Sequence, residues 1–103
     1  MLFLNEGNWF GDQVVDTSWV DFVREPASNS NGVYGGQFWL NVNHSNFEDA
    51  PEDLYLCNGF QGQHVFIIPS MDLVIVRMGL ASYPDFNSND FLRDLTNCFS
   101  PAR

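Results

Sequence analysis

Two stretches in the second half of the chain are apolar without interruption. Val65-Phe66-Ile67-Ile68 and Leu73-Val74-Ile75-Val76 show no polar alternation. They predict strands over 64–69 and 73–79, joined as a hairpin through Ser70-Met71-Asp72. Residues 34–42 predict an earlier strand, with Tyr34, Phe38, Leu40 and Val42 on one alternating face, and 54–57 a short one. Helical spacing occurs twice. Trp19, Phe22 and Val23 fall on one face of a short helix over 18–25, capped by Asp16 or Thr17 and ended by Pro26. Phe91, Leu92, Leu95 and Phe99 form the stripe of a helix over 90–99, with Ser88 or Asn89 as its cap and Pro101 beyond it. Leu2, Phe3 and Leu4 read as the last turn of a helix, with Gly7 suited to the C′ position. Residues 8–15 form a turn-rich connector, and 27–32 and 44–53 are polar loops.

Continuously apolar strands belong to sheets covered on both faces. The chain offers one good helix to cover one face, and the helix at 18–25 is short and distant in sequence. The layer logic of small domains therefore implies that covering structure is missing. No internal repeat occurs, and no linker marks a second domain.

Composition supports a core: 45% of the 103 residues are hydrophobic, including ten Phe and three Trp. One small domain is the most this length accommodates, and its stability alone would be marginal. The formal net charge is -9, from 13 acidic residues against four arginines, with no lysine. A field of that sign repels phosphate backbones and argues against nucleic acid as a partner. The longest apolar run, 65–69, is far short of a membrane span. The first seven residues have no basic region or cleavage site, so they do not read as a signal peptide. Nothing in the sequence reports a compartment. Cys57 and Cys98 could pair in an oxidising environment or be two buried thiols. Asn43-His44-Ser45 is a glycosylation sequon, a pattern short enough to arise by chance.

Candidate chemistry is sparse. His44 and His64 sit in different elements without a matching cysteine pair, which argues against zinc. The run 85–90 faintly resembles the start of a calcium loop. It lacks glycine at the sixth position, where Asp90 stands, and glutamate at the twelfth, where Thr96 stands. Gly59 and Gly62 have neither the lysine nor the helix of a phosphate loop. No cofactor is implied. Ser18, Ser45, Ser70 and Ser82 lack the context of a nucleophile elbow. Cys57 reads as a small core residue of its strand. Asp49, Glu52 and Asp53 read as a solvated acidic loop.

Four segments carry a resemblance: Tyr34-Gly35-Gly36-Gln37-Phe38-Trp39-Leu40-Asn41, Gly59-Phe60-Gln61-Gly62-Gln63, Ile68-Pro69, and Leu73-Val74-Ile75-Val76-Arg77-Met78-Gly79. In order and spacing they resemble the C-terminal third of the serine β-lactamase and penicillin-binding-protein-like hydrolases. The resemblance is closer to the β-lactamase-related branch of esterases and 6-aminohexanoate-dimer hydrolases. Leu2 through Trp9 and Val15 through Val20 are similar to that family's segment just before the sheet. The resemblance implies an α+β fold, an antiparallel sheet of about three to four strands with a C-terminal helix packed on it. It implies one partial domain over 1–103, with the end of a helical region and a connector in 1–33 and sheet and helix in 34–103. The chain would then be an incomplete piece of the β-lactamase/transpeptidase-like fold.

The family's nucleophile and base lie in a Ser-x-x-Lys motif, which a chain without lysine cannot contain. Tyr-x-Asn is absent as well. What the resemblance leaves is the third motif, with Phe60-Gln61-Gly62 where the family has Lys-Thr-Gly or His-x-Gly. It implies substrate contacts from Phe60, Gln61 and Gly62, and an oxyanion-hole donor at the Gln63 amide. Such a donor contributes about 3 kcal/mol to transition-state stabilisation. Phe60 brings no charge, which favours neutral esters or amides. The same pentapeptide also reads as a glycine bulge at a strand start. The implied activity is acyl-enzyme hydrolysis in a complete protein only. Its partners would be a small acyl substrate and the missing N-terminal portion of the domain. The alternative is a free-standing, non-catalytic binding module on the same sheet.

Overall fold

The computed structural model describes residues 2–81 and 83–99. The two apolar runs form strands β5 (His64–Ile68) and β6 (Leu73–Arg77), and β5 is the centre of the fold. They follow β1 (Asn8–Trp9), β2 (Asp12–Gln13), helix α1 (Thr17–Val23), β3 (Trp39–Leu40) and β4 (Tyr55–Asn58), and precede helix α2 (Ser88–Phe99). Strands β3-β4-β5-β6 make one antiparallel sheet in sequence order, and β1-β2 a separate two-stranded ribbon. The chain is thus α+β, with an antiparallel sheet and a C-terminal helix packed on it.

Strand pairing decides which residues share a face. Leu56 opposes Phe66, and Phe66 opposes Ile75. With Ile68 and Leu92 these side chains form the larger core, so this face looks toward α2. Tyr55 opposes Ile67, and with Leu40 they form a second core on the far face, under Phe3, Leu4 and Phe38. Burial pushes the Tyr55 phenol up to about 12, and its hydroxyl donates to the Phe3 carbonyl at 3.3 Å. The far face is covered only in part. Val76 is 58% exposed and Cys57 is exposed, although both lie on apolar strands.

Several expectations change. The strand at 34–42 contracts to Trp39–Leu40, with a single bridge from Tyr34 to Trp39. Gly35, Gly36 and Gln37 turn the chain between those partners, and Gln37 has φ 71. A Cβ on Gly35 would overlap the Val23 carbonyl oxygen, so this turn docks against the end of α1. In α1 the buried pair is Val20 and Val23; Trp19 and Phe22 are half exposed and stack on each other at 5.2 Å. Asp16 caps the helix, accepting from the Ser18 N–H at 2.9 Å. In α2 the capping side chain is Asn87, whose Oδ1 accepts from the Asp90 N–H. Leu92 and Thr96 form its buried line, whereas Phe99 is exposed. Near the start, the Gly7 N–H donates to Leu2 O and the Glu6 N–H to Phe3 O, a helix-terminating pair. Glu6, with φ 59, takes the C′ place there, and Gly7 follows one residue later. Both thiols are free and exposed, so Cys57 is not a core residue.

One polar residue organises the long loop after β3. Asn41 is fully buried. Its Nδ2 donates to the carbonyls of Phe47, Ala50 and Pro51, and its Oδ1 accepts from the Asn46 and Phe47 amides. A buried amide so satisfied stabilises, while losing it would orphan several backbone groups at once. The carboxylates of this loop act separately. Glu52 accepts from the Asn43 N–H, Asp53 from Ser70, and Asp49 from Asn89. They hold backbone turns and neighbouring elements, where the sequence suggests only a solvated acidic surface.

Candidate functional site

A cleft opens on the α2 side of the sheet, where β4 ends and β5 begins. Its volume is about 700 Å³, within the range of ligand sites. Trp39, Leu56, Asn58 and His64 supply its sheet side. Trp39 pairs with Leu56 and Asn58 with His64, and Leu56 and Asn58 are two apart, so pleating brings all four to one face. Further walls come from Gln61 and Gly62 in the β4–β5 connection, from 46–48, and from Tyr83 with the start of α2.

The β4–β5 connection is a tight five-residue loop. The Gly59 N–H donates to the Gln63 carbonyl at 2.7 Å. Gln61 and Gly62 both lie in the left-handed region, at φ 55 and 79. Two of the four residues named by the resemblance, Gln61 and Gly62, line the cleft; Phe60 and Gln63 do not. Phe60 is 80% exposed. The Gln63 N–H donates within the loop to Phe60 O at 3.3 Å, a bond that an oxyanion would have to displace. The close approach at Gly62 is made by the chain itself: a Cβ there would overlap the Ala81 carbonyl oxygen and the Arg77 guanidinium.

Arg77 holds this arrangement together. One of its guanidinium nitrogens donates to Gly62 O at 2.7 Å and to Ala81 O at 2.6 Å. The guanidinium also lies 3.8 Å from the centre of the Phe86 ring. A Cβ on Gly79 would press on the same group. The cation therefore ties the β4–β5 loop to the segment that leads to Tyr83 and α2. On the opposite flank, Asp49 and Asn89 exchange two hydrogen bonds, at 2.9 and 2.8 Å, joining the long loop to α2.

His64 stands inside the cleft, with its ring 5.1 Å from that of Phe66. Its Nδ1 is buried without a hydrogen-bond partner. Burial, and secondarily the Arg77 charge, hold its pKa below the ordinary value of 6.5. At neutral pH the imidazole is therefore uncharged and able to accept a proton. Ser88 and Tyr83 carry the hydroxyls of the same cleft, and neither is hydrogen-bonded to His64 among the described residues. Ser18, Ser45 and Ser70 are each engaged elsewhere, with Asp16, Gly32 O and Asp53. Ser82 lies outside the described residues. No nucleophile–base pair is thus assembled among those residues. They also contain no cluster of three metal-ligating side chains, and no helix among them is long and apolar enough to cross a membrane.

Trp39, Asn58, His64, Arg77 and Tyr83 are residues of the cleft and its supports that the sequence did not nominate as parts of this site. One signal was available. Asn58 and His64 are polar residues at the paired ends of two apolar strands, where side chains of one face leave the core. No family model matches the chain, and no curated protein matches it.

Proposed function

We propose that this chain is the C-terminal portion of a β-lactamase-related serine hydrolase, supplying the late wall of an acyl-transfer site whose nucleophile lies elsewhere. The observation that carries the reading is the cleft bordered by Gly59, Gln61 and Gly62 of the 59–63 segment, which the resemblance to that family's third motif nominated. Gln61 and Gly62 border it, and an uncharged His64 stands beside them. The half-covered far face of the sheet supports the same reading, because Val76 and Cys57 are left without the layer that apolar strands call for. The absence of lysine removes the Ser-x-x-Lys pair from this chain, so turnover requires the missing portion.

Two measurements test this. The 103-residue chain should hydrolyse neither nitrocefin nor a p-nitrophenyl ester, and measurable turnover by it alone overturns the proposal. Transcript mapping upstream of Met1 should find an open frame encoding Ser-x-x-Lys, and the longer product should be labelled by a fluorophosphonate ester at that serine. A start site at Met1 with its own promoter defeats the reading. A free-standing binding module is the second reading, favoured by a cleft formed entirely within the chain. A cooperative melt without exposed-core dye binding would support it.

A further inference from the structure

The hydrogen-bonding groups of the cleft fall into two sets. The first set builds the walls. The Asn46 amide donates to Leu40 O at 2.7 Å, Asn87 caps α2, and Asn89 is held at both ends by Asp49. The second set has no protein partner among the described residues. It comprises the side chains of Asn58, Gln61, Glu48 and Ser88, together with the buried Nδ1 of His64. Beside these groups lie two large aromatic rings. Trp39 is 39% exposed and steadied by an edge contact with Tyr34 at 4.8 Å; Tyr83 is 78% exposed.

We propose that the cleft takes an uncharged pyranose ring as its ligand. This rests on the reading of the cleft as a ligand site, and it names the ligand class. Rigid aromatic surface pairs with the apolar face of a sugar ring, a large contact with little conformational entropy to lose. Asn58 and Gln61 each offer a donor and an acceptor, which match adjacent hydroxyl groups that also do both. The Glu48 carboxylate accepts from hydroxyl donors in charge-assisted bonds. Among the described residues no arginine or lysine lines the cleft, and the nearby Arg77 is already bonded to Gly62 O and Ala81 O and stacked on Phe86. With a net charge of -9, anionic ligands are disfavoured. A plain acyl chain is disfavoured as well, since it would bury Asn58, Gln61 and Glu48 without hydrogen bonds.

Saturation-transfer NMR and tryptophan fluorescence on the full 103-residue chain test this, using methyl glycopyranosides, cellobiose, chitobiose and glucuronate. Saturable binding of at least one neutral sugar is expected, with glucuronate about tenfold weaker. Asn58→Ala and Ser88→Ala should each weaken the neutral sugar by on the order of tenfold, the loss of one net hydrogen bond. Neither side chain has a hydrogen-bond partner among the described residues, so circular dichroism should be unchanged. Val76→Ser, on the far face, should leave binding intact. The inference is overturned if no neutral sugar saturates, or if both cleft variants bind like the parent. Occupancy by p-nitrophenyl butyrate without any sugar sinks the inference and leaves the hydrolase reading. Sugar binding, with no acylation of the longer product, does the reverse.

Discussion

The two faces of the four-stranded sheet are built from the same kind of residue and meet different fates. On the α2 face, Leu56, Phe66, Ile68 and Ile75 are buried under Leu92 and its neighbours. On the far face, Tyr55 and Ile67 are buried, yet Val76 and Cys57 at the sheet's margins are not. The difference is not one of hydrophobicity. It lies in what the chain has available to lay over each face. The α2 face has a twelve-residue helix and a loop anchored by Asn41, whereas the far face has, among the described residues, the N-terminal turn, the 38–42 segment and the Arg24 guanidinium over the Tyr55 ring. An apolar strand pattern thus reports a demand for cover, and not its supply.

The comparison predicts unequal costs for substitutions on the two faces. Phe66→Ala should lose about 4 kcal/mol in urea unfolding, the usual cost of a large core cavity. A loss under about 1 kcal/mol would mean that the α2 face is looser than described. Asn41→Ala should lose about 3 kcal/mol, because the Asn46 and Phe47 amides and three carbonyls lose their partner together. Arg77→Met should cost about 2 kcal/mol by leaving Gly62 O and Ala81 O without a donor. It should also alter tryptophan fluorescence near Trp39 if the loop it holds shapes the cleft. Arg77→Lys should recover only part of either effect, since lysine lacks the planar fork that stacks on Phe86.

His64 gives a smaller, pH-dependent effect. Its folded pKa lies below the ordinary value of 6.5, so the unfolded chain binds the proton more readily. Its contribution to stability is complete above the unfolded value and declines as pH falls through 6.5 toward the folded pKa. The melting temperature should therefore drop between pH 7.5 and 5, and His64→Gln should flatten part of that slope. An unchanged slope in the variant would assign the acid sensitivity to other groups. Smallest of all, Val76→Thr should change stability by less than about 0.5 kcal/mol in this chain. Under the proposed hydrolase reading, Val76→Thr becomes costly if the proposed N-terminal portion covers the far face, which a parallel measurement on that proposed longer product would read.

Much of the architecture is legible in the sequence. The unbroken runs at 65–68 and 73–76 define β5 and β6, and the connection through Asp72 follows from turn chemistry, Asp72 standing at φ 51. The stripe at 91–95 defines α2. The shortness of the apolar runs likewise agrees with the absence, among the described residues, of a helix long and apolar enough to cross a membrane. These are properties of local pattern, because hydrophobic period and turn residues act within a few positions.

Tertiary structure decided the rest. Helical spacing gave Trp19 and Phe22 to the buried face of α1, but the turn at Gly35 and Gly36 docks so that Val20 and Val23 are the residues covered. The glycine at 62 was legible as a close approach, but the group that approaches is Ala81 O with Arg77, fifteen or more residues away. Asn58 lay just beyond the strand expected over 54–57, and His64 at the start of the next, until register put them side by side at the mouth of a cleft with Trp39 and Tyr83. A site of this kind is assembled by pairing across distant segments. The sequence alone determined which segments would be strands and that their faces needed cover; only the packed chain decided which face received it and where the uncovered polar groups converged.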